Sequence, residues 1–309
     1  MNFSEVTDNS LSAAADAGLL AGPDRAPVLV LGATGGQGGA VARALIRAGR
    51  PVRALVRDPT SEPARKLAAT GAHLAAGDFT DQDALASAMR GTGAAFALTT
   101  PFESGPAAEV AQGQAIIDAA GRAALPHLVF SSVAGALGKT GIPHFESKAK
   151  VERALSSSGL EHTVVAPTYF YDNAVGGGGY HDLLTGVLEL PLPAHHPLQQ
   201  VDRSDFGSFV ALLLADPAAH AGQRIEVASD APTPEEMSQA LSDALDRPIN
   251  FRETPMSVVR NRSTDMGAMW EFLRGPGYQA DIGALRSDYP AVGWTPFALW
   301  AQQRFRNGG

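Results

Sequence analysis

The sequence predicts an α/β protein: a doubly wound parallel sheet with a smaller C-terminal α/β lobe. Three observations carry that expectation. The apolar run Val28-Leu29-Val30-Leu31 breaks at Gly32, Gly35 and Gly38 and passes directly into a helical pattern at 40–46. From there to residue 166, short apolar β-type runs alternate with helix-length segments, the rhythm of βαβ units with right-handed crossovers. Beyond Pro167 the alternation stops, and a glycine run at 176–179 with Pro191, Pro193 and Pro197 marks irregular backbone.

The first strand, at 28–31, is apolar throughout, as a strand covered on both faces must be. A second strand follows at 51–56, a helix at 62–69 and a third strand at 72–76. Residues 81–90 read as a helix capped by Thr80 or Asp81, whose side-chain oxygens can accept the orphan N–H groups of the first turn. A buried strand at 94–98, a long helix at 107–124 and a strand at 127–131 come next. The helix at 144–157 is closed by Gly159 and followed by a strand at 162–166. In the second half, helices are expected at 202–215, 233–245, 257–273 and 296–305, and short strands at 186–190, 223–228 and 249–252. The expected organisation is a flexible extension at 1–26, a sheet domain at 27–167 and a substrate-side lobe at 168–309. Within that lobe, 202–228 is expected to return to the sheet. An open sheet of this kind binds its ligand beyond the carboxyl ends of the strands.

Composition narrows the function. With 309 residues, 45% of them hydrophobic and 18% charged, the chain can bury a large core, as one elaborated domain or as two sharing an interface. A net charge of −8 argues against phosphate-backbone binding, so no direct nucleic-acid contact is expected. The absence of cysteine excludes thiol nucleophiles, disulfides and zinc–thiolate sites. Residues 1–26 lack the basic start and apolar core of a secretory signal, and no apolar run reaches the roughly 18 residues of a membrane span. The expectation is a soluble, cytoplasmic protein without membrane contact. No metal is expected: His195 and His196 are adjacent and would face different directions, and neither H-x-x-E-H nor an EF-hand pattern is present. Gly-x-Ser-x-Gly is also missing, so an α/β-hydrolase would lack its nucleophile.

The glycine turn is the chemical centre of the chain. Strand, tight turn and helix in succession aim backbone N–H groups and a positive helix end at one point, the arrangement a pyrophosphate requires. The candidate cofactor residues there are Gly32, Thr34, Gly35, Gln37 and Gly38, in G-x-x-G-x-x-G spacing. The alternative is a plain βα turn. The residue ending the second strand discriminates between dinucleotides, since an acid binds a ribose 2′-hydroxyl and an arginine pairs with a 2′-phosphate. Arg57 occupies that position, with Asp58 directly after it, so NADP(H) is preferred and NAD(H) stays open.

Further landmarks are Val-Arg-Asp-Pro at 56–59, Gly-Asp-Phe at 77–79 and Phe-Ser-Ser-Val at 130–133. To these add His-Phe-Glu-Ser-Lys-Ala-Lys-Val-Glu at 144–152, Pro-Thr-Tyr-Phe at 167–170 with Asn173, and Val-Asp-Arg-Ser-Asp-Phe-Gly at 201–207. From Pro27 onward the chain resembles the NmrA-like, atypical short-chain dehydrogenase/reductase family. The resemblance implies an NAD(P)-binding Rossmann fold. It also implies either a working NAD(P)H-dependent reductase or a dinucleotide-binding redox sensor. By the same resemblance Asp78 and Phe79 border the adenine, Thr99 and Thr100 pass the nicotinamide ribose, and Pro167, Tyr169 and Phe170 stand on the cofactor side. Asp78 serving only as a turn or cap residue is the alternative reading at that position.

Short-chain dehydrogenases carry Y-x-x-x-K on a helix. This chain has His144 at the tyrosine position and Lys148 at the lysine position, four residues apart and hence on one helix face. The family serine corresponds to Ser131 or Ser132. The catalytic candidates are therefore Lys148, His144 and Ser131, and the resemblance implies that Lys148 also contacts the cofactor by holding the nicotinamide ribose. An imidazole, with an ordinary pKa near 6.5, can exchange a proton at neutral pH, and a purely positioning role for His144 stays open. The expected substrate contacts are Phe102, His144, Tyr169, Asn173, Met269 and Trp270, with Met266 and Phe272 on the same helical segment. Such a pocket suits a small, mostly apolar carbonyl, imine, enone or quinone-like molecule. The expected partner is that small molecule, with a homodimer left open. NADPH-dependent hydride transfer is the leading function and a redox sensor without turnover the other.

Overall fold

The computed structural model describes residues 26–175 and 183–306, so the expected N-terminal extension up to residue 25 and the glycine run at 176–179 lie outside the described residues. The first half alternates as the sequence predicts: β1 (Val28–Val30), α1 (Gly36–Arg47), β2 (Val52–Val56), α2 (Glu62–Ala69), β3 (His73–Ala76), α3 (Gln82–Met89), β4 (Ala94–Leu98), α4 (Gly105–Arg122), β5 (Leu128–Ser131), α5 (Pro143–Ser156) and β6 (His162–Pro167). Of the two cap candidates, Asp81 takes the role and its carboxylate accepts the Ala84 N–H. The second half adds β7 (Tyr169–Phe170), α6 (Tyr171–Val175), β8 (Val187–Leu190), β9 (Gln200–Val201), α7 (Arg203–Leu213), β10 (Arg224–Val227), α8 (Pro234–Leu245), β11 (Asn250–Glu253), α9 (Met256–Arg262), α10 (Thr264–Arg274), α11 (Ile282–Asp288) and α12 (Phe297–Arg306).

Seven strands form one parallel sheet in the order β10-β6-β5-β4-β1-β2-β3. The winding reverses between β3 and β4, so the switch point, where an open sheet parts to admit a ligand, lies between β1 and β4. Val30 pairs with both Ala54 and Phe96, which brings the carboxyl ends of β1, β2 and β4 level. β1 alternates between two cores, as a strand must. Val28 and Val30 pack with Val41, Leu45, Phe206 and Phe209 from α1 and α7. Leu29 packs on the other face with Leu85, Ile116, Val151 and Leu155 from α3, α4 and α5. Full burial of each such side chain contributes about 1.5–3 kcal/mol. The return of β10 to pair with β6, at Arg224 opposite Val164, makes the sheet seven-stranded.

A third core joins Leu188, Leu190, Met237, Leu241, Trp270, Phe297 and Trp300, from the parallel pair β8–β11 and from α8, α10 and α12. Here one expectation needs correction. The single helix predicted at 257–273 is two helices, α9 and α10. Ser263 between them is extended, at φ −160° and ψ 122°, and its hydroxyl accepts the Met266 N–H as the cap of α10. Apolar periodicity runs on across that break, whereas the serine obeys its local capping preference. The two-residue strands β7 and β9 and the seven-residue α11 were too short to show a periodicity. Among the described residues no helix is long and apolar enough to cross a membrane.

Candidate functional site

Beyond β1 the chain turns through Gly32, at φ +65°, and the Gly35 N–H donates to the Gly32 carbonyl at 2.9 Å. Gly38 is a steric requirement. A Cβ there would come within 2.4 Å of the Gly32 oxygen, so only glycine lets α1 seat directly beneath the turn. Gly35 caps α1 without any side-chain hydrogen bond, and the first turn holds no acid. The first N–H groups and the positive helix end are thus left for a ligand.

Two cavities that share lining residues extend from this turn. The first, of about 450 Å³, is lined by Gly32, Thr34, Gly35 and Gln37 together with Arg57, Asp78, Phe79 and Thr100. The second, of about 530 Å³, is lined by Thr99, Pro101, His144, Lys148, Pro167, Tyr169, Met269 and Trp270. Gln37, Leu98, Thr100, Phe102, Phe170 and Asn173 belong to both, so the two form one elongated cleft over the carboxyl ends of the strands.

At the first end Arg57 is exposed, with the Glu103 carboxylate 3.8 Å away across the opening. Asp78 accepts from the Thr80 hydroxyl and from the Thr80 N–H at 2.7 Å, and these bonds, with Arg57 nearby, hold its carboxyl below the usual range. Asp78 therefore shapes the turn after β3 as well as lining the cavity. Arg203, at the start of α7, lies against Gly36, stands 5.9 Å from the Phe170 ring centre and pairs with Asp172 at 3.3 Å.

At the second end Lys148 is buried among acceptors. Its Nζ donates to the Thr99 carbonyl at 2.6 Å and the Thr99 hydroxyl at 3.0 Å, and lies 3.0 Å from Glu109 Oε1 and 3.4 Å from the Ser131 carbonyl. Burial pushes this ammonium below the ordinary lysine range, against the pull of Glu109. Glu109 is itself fully buried and also accepts from Ser147. His144 pairs through Nδ1 with Asp265 of α10. Its ring meets Phe145 edge-on at 4.8 Å and Phe102 at 5.9 Å. Tyr278, packed on Phe145, adds a further aromatic wall; burial raises its phenol well above the ordinary tyrosine range.

Four expected residues sit differently from the expectation. Gly38 lines neither cavity and acts from beneath the turn. Ser131 also lines neither, and its hydroxyl donates to Gln37 Oε1 at 2.8 Å. Ser132 lines the second cavity, but its hydroxyl donates to Glu152. Phe272 points into the third core against Phe145 and Tyr278 and leaves the wall to Met266, Met269 and Trp270. Glu109, Asp265, Arg203 and Glu103 were missed. Glu109 carried a signal, a lone acid in line with Gly113, Ile116 and Ala120 on the buried face of α4. Asp265 carried none, being 121 residues from its partner.

Comparison with known proteins places this cleft in context. Residues 24–284 match the model of the NmrA-like family. The NmrA-like family domain-containing oxidoreductase notA of Aspergillus sp. (strain MF297-2) is 34% identical over 250 residues, covering 72% of this chain and 74% of its own. The NAD(P)H azoreductase of Xenophilus azovorans is 28% identical, covering 78% and 81% of the two chains. The fold matches that of NmrA, a negative transcriptional regulator solved in complex with NADP, at a TM-score of 0.75 and 23% identity over 92% of this chain and 98% of that one. On the match along most of its length, the chain belongs to the NmrA-like family.

Proposed function

We propose that the protein is an NAD(P)H-dependent oxidoreductase, with NADPH preferred, that reduces a small, mostly apolar acceptor of the carbonyl, imine, enone or quinone type. The observation that carries this reading is the shared cleft: an uncapped helix end and Arg57 at one end, an aromatic chamber holding a histidine at the other. The relatives named as oxidoreductases and as an NAD(P)H azoreductase support the reaction class. The open glycine turn fits a dinucleotide. The N–H groups at the start of α1 and Arg203 would hold its phosphates, Arg57 a 2′-phosphate, and Thr99 and Thr100 the ribose next to the reacting ring. When bound, the nicotinamide supplies hydride. Lys148, with its ammonium engaged by Thr99 and Glu109, acts by fixing the end of β4 beside that ribose. Phe102, Tyr169, Met269 and Trp270 enclose the acceptor and His144 faces it.

A dinucleotide sensor without turnover is the second reading, favoured by the missing tyrosine at His144 and by the fully engaged lysine. One experiment separates them. Purified protein is titrated with NADPH by fluorescence and then assayed for NADPH oxidation with quinones, imines, aldehydes and enones. Turnover of one class is the expected result. Tight NADPH binding with no turnover across the panel would support the sensor, and no binding would refute both.

A further inference from the structure

We propose that Asp265 is the positioning residue that sets His144 up as the proton donor of the cleft, an inference that rests on the oxidoreductase reading above. The pair joins α5 to α10, which both line the second cavity, and both side chains are largely buried, at 10% and 26% exposure. With Nδ1 held by the carboxylate, the ring hydrogen stays on Nδ1, and Nε2 is the nitrogen left for the cavity that His144 lines. Phe145 edge-on at 4.8 Å and Phe102 at 5.9 Å restrict the ring plane as well.

Several other proton-bearing groups of the chamber are committed elsewhere. The Lys148 ammonium faces the Thr99 carbonyl, the Thr99 hydroxyl and the Glu109 carboxylate, one acceptor for each of its protons. Ser131 donates to Gln37 and Ser132 to Glu152. The Tyr169 hydroxyl donates to the Asn173 carbonyl at 3.2 Å, and burial makes the Tyr278 phenol a poorer acid. Among the described lining residues, His144 carries the side-chain type suited to proton exchange.

The balance of the reduction assigns the step. A bound reduced nicotinamide supplies one hydride, two electrons and a proton, to the electrophilic atom of the acceptor's double bond. The π pair moves onto the heteroatom, which requires one more proton. The imidazolium N–H at Nε2 gives it, and the ring is left neutral with its hydrogen on Nδ1 against Asp265. Solvent restores the lost proton between turnovers. The Asp265 carboxylate, by holding Nδ1, fixes which nitrogen gives up the proton.

The test uses the full chain and has a readout that needs no cofactor. Protein labelled with ¹⁵N-histidine is examined by NMR, and His144→Phe identifies the His144 ring signals. The neutral ring is expected to carry its hydrogen on Nδ1 in the wild type and to lose that preference in Asp265→Asn. With NADPH and an aromatic aldehyde or planar quinone, Asp265→Asn should lose at least ten-fold in kcat, since general acid catalysis contributes about 10²–10⁴-fold. KM and the NADPH dissociation constant should stay within about two-fold, and Asp265→Glu should recover part of kcat. An Nδ1 preference unchanged in Asp265→Asn, or a kcat within two-fold of wild type, overturns the proposal. A wild-type protein that binds no NADPH or reduces no acceptor instead sinks the oxidoreductase reading, and the tautomer measurement still reports on the pair.

Discussion

Replacing Glu109 by glutamine keeps the shape of the side chain and removes one charge from a fully buried position. Its oxygens accept from Thr99 Oγ1 at 3.0 Å and from Ser147, and Oε1 stands 3.0 Å from the buried Lys148 ammonium. Removing one partner of a buried pair costs about 3–5 kcal/mol, because the other charge is left uncompensated. Lys148 keeps the Thr99 carbonyl at 2.6 Å and the Ser131 carbonyl at 3.4 Å, so the lower end, about 3 kcal/mol, is expected. At roughly 2–4 °C per kcal/mol for a chain approaching this size, Tm should fall by about 6–12 °C. The pH dependence has a definite sign. A lysine whose pKa is depressed by folding is a burden while protonated, and the burden lifts as pH rises through its folded value. The deficit should therefore be largest near neutral pH and shrink in alkali. In Glu109→Gln/Lys148→Met no orphaned charge remains, and stability should return to within about 1 kcal/mol of wild type. Thermal melts and urea titrations of wild type, both single variants and the double variant at neutral and alkaline pH make the measurement. A Glu109→Gln protein within about 0.5 kcal/mol of wild type, or a double variant as unstable as the single, would refute the argument.

Arg57→Ala should weaken NADPH binding by about 1.5 kcal/mol and NADH binding far less. The low end of the range for a charge-assisted contact applies because the guanidinium is 76% exposed. Glu103→Gln, which removes the carboxylate facing that guanidinium, should tighten NADPH; equal changes for both dinucleotides in a titration would rule out a 2′-phosphate at Arg57. Asp202 is raised from 3.8 to about 6 by burial and then by the neighbouring Asp205, so its contribution is full below pH 4 and is lost as pH rises through about 6. Asp202→Asn should abolish that loss, worth on the order of 3 kcal/mol, and raise the unfolding midpoint at pH 7; a stability profile as steep as wild type between pH 4 and 6 would count against it.

Much of the molecule was legible where the governing forces are local or periodic. The strands of a parallel sheet are covered on both faces, so Val28–Val30 and Ala94–Leu98 stand out as unbroken apolar runs. The glycine turn shows itself because its stereochemistry tolerates no other residue at Gly38. Once the strand ends are known, topology places Arg57, Asp78, Phe79 and Thr100 around one cavity. What was hidden depends on the direction of side chains and on partners far along the chain. Position alone put Ser131 beside the reaction centre, yet its hydroxyl turns to Gln37. Lys148 read as a cofactor contact because its match lies in a helix motif. The acid that claims it belongs to another helix, 39 residues earlier, and the acid that claims His144 to a helix 121 residues later. Ser263 shows the opposite failure, a local cap outvoted by apolar periodicity that happened to run through it.

The pairing of β10 with β6 ties the order of synthesis to the hazards of folding. Val164 emerges from the ribosome well before Arg224, its neighbour in the finished sheet. Until then β6 is a bare edge whose backbone groups invite any other extended chain, and α1 has no α7 to cover Val41 and Leu45. A fragment ending near Pro167 would hold the whole glycine turn and still be a poor folder, prone to self-association, because the closing strand and helix lie downstream. Any attempt to graft or split the dinucleotide half of this protein has to carry the segment through Val227 with it.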